Sequence, residues 1–66
     1  MKVTKTQKQL IALLKAFHMT ENQVIGIILT LKSEKKQNQM IDYLIENKKN
    51  LTNEIILNKM KELIDN

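Results

Sequence analysis

Sixty-six residues pass without one proline, and with a single glycine, Gly26. Proline costs ~3 kcal/mol inside a helix and glycine ~1 kcal/mol relative to alanine, so this chain has few places where a helix must stop. Apolar residues fall at the 3–4 spacing of one helical face over residues 5–18, with Leu10, Ile11, Leu13, Leu14 and Phe17 inward and Lys8 and Lys15 outward. Thr20 then reads as an N-cap, Gln23 completes a capping box, and Met19 with Val24 forms a hydrophobic staple. The second helix, 21–32, carries Val24, Ile25, Ile27, Ile28, Leu29 and Leu31 over more than half its circumference. Such a helix is expected at the centre of a domain or in an interface. Gly26 and Thr30 form its small-residue stripe, expected to allow close helix packing.

Ser33 caps a third helix, 34–48, with Met40, Ile41, Tyr43, Leu44 and Ile45 as its buried set. Asn47 and Asn50, which tolerate the left-handed conformation, are expected to end it. Thr52 caps a fourth helix, 53–65; Leu51 staples to Ile56, and Ile56, Leu57, Met60, Leu63 and Ile64 form its face. The links are short, so successive helices should pack as hairpins or at steep angles. The fold class expected is all-α, a compact bundle of three to four short helices in one domain spanning 1–66, with the second helix as its core.

Composition narrows the chemistry. Cysteine is absent and His18 is the sole histidine, which removes disulfides and leaves no donor set for structural zinc. No apolar run approaches the ~18 residues of a membrane span. The basic front followed by apolar residues imitates an export signal, but Lys15 interrupts it and no small-residue cleavage site follows. The segment reads as mature protein, and a cytoplasmic location is expected. The dominance of lysine, isoleucine and asparagine suggests a bacterium or a mobile element.

No catalytic constellation stands out, so neither enzyme activity nor a cofactor is expected. Ser33, the only serine, is explained as a cap. His18 sits where a charged imidazole would favour the dipole at a helix end. Asp42 and Glu46 lie one turn apart and read as a solvated face, since a hard cation wants ~6 oxygen ligands.

Binding remains. The first expectation is a non-catalytic module acting through protein contacts, as a partner-binding surface or a homodimer. Surplus apolar surface at Ile25, Ile28, Leu29 and Ile55 marks the candidate interface. The alternative is a small helix-turn-helix-like DNA-binding regulator. Lys32, Lys35, Lys36, Gln37 and Asn38 at the start of the third helix, with Lys8 and Lys15 on the first, are the candidate anion or nucleic-acid contacts. Lysines at a helix N-terminus oppose the dipole, and such a local conflict can mark a functional surface. Against it, arginine is absent, and residues 32–39 hold no apolar position to dock that helix. The amphipathic, basic first helix also raises membrane-surface action, as in small bacteriocins or their immunity proteins, although tryptophan is missing. The net charge of +4 is uneven. Residues 1–18 hold four lysines and no acid, whereas 19–66 hold seven lysines and seven acids.

Residues 13–45 loosely resemble ubiquitin-associated-type three-helix domains. Phe17-His18-Met19-Thr20 falls where those carry their first-loop Met-Gly-Phe/Tyr, and Asp42-Tyr43-Leu44 falls near their closing helix motif. The loop glycine is missing and the second and third helices are spaced further apart, so no ubiquitin-contact residue is carried over.

Overall fold

The computed structural model describes residues 3–65 and is all-α. Its helices are α1 (Lys5–Ala16), α2 (Glu21–Thr30), α3 (Glu34–Glu46) and α4 (Asn53–Asp65). Lys2, counted in the basic N-terminal segment, lies outside the described residues.

Local chemistry sets each boundary. Thr20 and Gln23 form the expected capping box, with Gln23 N–H donating to Thr20 Oγ1 at 3.2 Å and Thr20 N–H to Gln23 Oε1 at 3.0 Å. Met19 and Val24, the staple pair, are both buried. Ser33 accepts from Lys36 N–H at 3.1 Å and Thr52 from Ile55 N–H at 3.2 Å, so both caps are as expected. A second capping box, Thr4 with Gln7, opens α1. Its T-x-x-Q spacing is the same sequence signal that marks the start of α2.

Three helices end two residues earlier than the expected 18, 32 and 48. After Ala16, His18 adopts φ 63°. Its N–H donates to Lys15 O, and Met19 N–H reaches back to Leu14 O. These two bonds, with Leu14 and Met19 both buried, make a Schellman ending in which histidine takes the position usually given to glycine. The role of His18 is thus conformational. The ending of α3 differs from expectation. Asn47 has φ −115°, and among the described residues outside glycine only His18 has positive φ. Asn47 closes the helix by donating both its N–H and its side-chain amide to Tyr43 O, and Asn50 is not left-handed.

The helices form a ring in the order α1, α2, α4, α3. The α1–α3 contact is the most extensive, and these two helices run the same way. Thr6 in the first turn of α1 donates to Glu34 in the first turn of α3 at 2.8 Å. At the other end Leu13 and Phe17 share a groove with Leu44 and Ile45. Chain neighbours α1/α2 and α3/α4 pack side by side, but α2 and α3 sit across a diagonal and do not form a hairpin.

The core takes residues from every helix: Leu10 and Leu14, Val24 and Ile27, Met40, Ile41 and Leu44, Ile56 and Leu63, together with Met19 and Leu31 from the links. This corrects the expectation that α2 is the centre, since its own buried residues are Val24 and Ile27 alone. Tyr43 is half-buried, while Ile45 and Ile64 are exposed, so the inward faces of α3 and α4 are narrower than expected. Gly26 is exposed, and a Cβ placed there would meet nothing within 4 Å. It therefore mediates no close packing within the chain, and Thr30 instead returns its hydroxyl to Gly26 O at 2.7 Å.

Candidate interaction surface

On α2 the residues Val24, Ile27 and the C-cap Leu31 point inward at 3–4 spacing. Ile25, about 100° on from Val24, and Leu29, about 200° on from Ile27, then point away from the core. They are 49% and 56% exposed. Ile28 lies between the two faces, half-buried and packed against the core. A groove of about 330 Å³ opens here, with Val3 and Ile11 on one side and Val24, Ile25, Ile28 and Leu29 on the other; Gln7 is its polar member. The structure thus gathers three of the four candidate interface residues. Ile55 on α4 is half-buried and is not among the residues that line this groove. Val3 joins the groove without having been singled out. The Thr4–Gln7 box could have signalled it, because an apolar residue just before an N-cap often packs back on its helix.

The candidate anion contacts divide. Lys32, Lys35 and Asn38 are exposed and Lys36 is half-buried. Lys35 and Lys36 border a groove of about 310 Å³ closed by Ser33, Gln39, Lys59 and Glu62. Gln37 is a correction. It is only 2% exposed, and its amide donates to Leu31 O at 2.6 Å. It occupies the inward position of the first turn of α3, where the sequence shows no apolar residue. Its hydrogen bond satisfies a carbonyl at the end of α2 that burial would otherwise leave costly. Gln37 is therefore removed from the surface contacts. Lys8 and Lys15 are exposed on α1. Because α1 and α3 start at the same end, Lys5 and Lys8 come to the end of the bundle that carries Lys35 and Lys36.

A further groove of about 540 Å³ lies between the last turns of α1 and α3, floored by Leu13, Phe17, Leu44 and Ile45 and bordered by Lys48 and Lys49. On the opposite flank of α3, Asp42 and Glu46 line a shallow hollow with Tyr43 and Lys59. Lys59 Nζ stands 4.8 Å from the Tyr43 ring centroid and 3.3 Å from Glu62 Oε1. Among the described residues, no three Asp, Glu or His side chains gather closely enough to hold a metal ion, and no helix is long and apolar enough to cross a membrane.

Comparison with protein-family models, with curated proteins and with solved structures finds no significant match to this chain.

Proposed function

We propose that this chain is a non-catalytic, cytoplasmic binding module that works through protein contacts made by the outer face of α2. The observation that carries the reading is the half exposure of two large aliphatic side chains, Ile25 and Leu29, beside an apolar groove on a helix whose other face is buried. Contiguous exposed apolar surface on a small protein is a frequent mark of a contact site. The test compares wild type and Leu29→Lys as bait in nuclease-treated lysate. A protein retained by wild type and lost by the variant is expected. Recovery of nuclease-sensitive material alone would overturn the reading.

A second reading, a small DNA-binding regulator, is favoured by the convergence of Lys5, Lys8, Lys35 and Lys36 at the end where α1 and α3 begin. It is weakened by Gln37, which is buried, and by the separation of α2 and α3 across a diagonal, since a helix-turn-helix needs these two packed as a unit. It requires affinity that falls with salt at a log–log slope of about −0.9 per phosphate neutralised, and that Lys35→Ala with Lys36→Ala makes shallower.

A further inference from the structure

We propose that the outer face of α2 pairs with the same face of a second copy of this chain, the two helices antiparallel about a two-fold axis level with Ile27. The inference rests on the reading of α2 as a contact surface and names its occupant.

The face is complementary to itself when reversed. Ile25 and Leu29 stand one turn apart, so antiparallel overlap sets Ile25 against Leu29 of the partner subunit, and Leu29 against Ile25 of the partner subunit. Exposed Glu21 opens the helix, and exposed Lys32 stands just past its C-cap. Reversal brings each toward its opposite charge, whereas parallel overlap would set like against like. Gly26 borders the same face with open space where its Cβ would be, so a second helix backbone can approach there. Antiparallel pairing also opposes the two helix dipoles.

The larger groove between α1 and α3 lacks this property. The charges along its border are Lys48 and Lys49, of one sign, and two copies meeting there would repel. A standard interface buries about 800 Å² per partner, about a sixth of the 4771 Å² surface of this chain, and ten residues of one helix offer less. The pair is accordingly weak and concentration-dependent.

Sedimentation equilibrium of the full chain tests it up to ~1 mM, where a pair with a Kd of that order is well populated. The mass is expected to climb toward twice the monomer for wild type. It should stay at the monomer for Leu29→Lys, whose circular dichroism is unchanged because the side chain is exposed. Orientation is read with single cysteines in this otherwise cysteine-free chain. Gly26→Cys, near the axis, should form an intermolecular disulfide on mild oxidation. Asn22→Cys should not, because the overlap separates its two copies by about 15 Å along the helices. Equal cross-linking of both would overturn the antiparallel arrangement. A wild-type monomer at ~1 mM overturns the pairing itself. If that monomer still retains a nuclease-resistant protein through Leu29, the contact surface stands without the second copy; if it retains none, both readings fall.

Discussion

By sequence α2 is the more apolar of two successive helices, yet α3 is the more buried. Val24, Ile25, Ile27, Ile28 and Leu29 crowd ten residues of α2, and only Val24 and Ile27 among them are fully buried. Thirteen-residue α3 opens with Glu34-Lys35-Lys36-Gln37-Asn38-Gln39 and still buries Gln37, Met40, Ile41 and Leu44. The difference lies in their neighbours. α3 is flanked by the extensive α1 contact and by α4, and its inward stripe is narrow and fully used. α2 also touches two helices, but neither covers the side that carries Ile25 and Leu29. Apolar content therefore measures how much a helix could bury, and packing decides how much it does.

The largest test of this contrast is Leu44→Ala, which truncates a fully buried side chain of α3. Urea unfolding should show a loss of about 2–5 kcal/mol, as for other buried leucines. A loss under 1 kcal/mol would mean that α3 is not central. Next is Gln37→Ala, which removes the donor to Leu31 O and should cost about 1–3 kcal/mol in the same measurement. If it proves neutral, water replaces the amide and Gln37 is an ordinary surface residue.

On α2 the expected effects are smaller or reversed. Gly26→Ala meets no neighbour within 4 Å and should raise stability by about 0.5–1 kcal/mol, read as an increase in urea midpoint. A decrease would show that close packing at Gly26 exists after all. The smallest effect is expected for Leu29→Gln, within about 0.5 kcal/mol in dilute solution because the side chain is exposed. If that substitution costs as much as Leu44→Ala, the outer face of α2 is covered even at low concentration, and the contrast between the two helices disappears.

Much of the local structure was legible. Thr20 with Gln23, Ser33 and Thr52 act as caps, because a short polar side chain before an apolar run satisfies helix N–H groups whatever surrounds it. Helix ends were less legible: the apolar pattern continues through Phe17 and Leu31, and nothing in the polar run Asn47-Lys48-Lys49-Asn50 marks which residue ends α3. The chain turns at His18 by a left-handed residue that is not glycine, and at Asn47 by a side-chain hydrogen bond. The candidate surface was legible in part. Ile25 and Leu29 were singled out as surplus, but Val3 and Ile11 join them only through the packing of α1 beside α2. Gln37 was misplaced because a glutamine in a polar run looks solvated, and only the position of Leu31 O gives its amide a buried partner.

By itself, the sequence determined that this chain is helical, where its helices begin, and that disulfide chemistry is absent, since each follows from residue type and short-range spacing. The tertiary structure decided that the helices close in the order α1, α2, α4, α3, and that α1 and α3 run side by side from the same end. It also decided that the most apolar helix turns one of its faces outward. These follow from contacts between residues far apart in the chain, such as Thr6 with Glu34, which depend on the joint packing of all the inward stripes and cannot be read from any one of them.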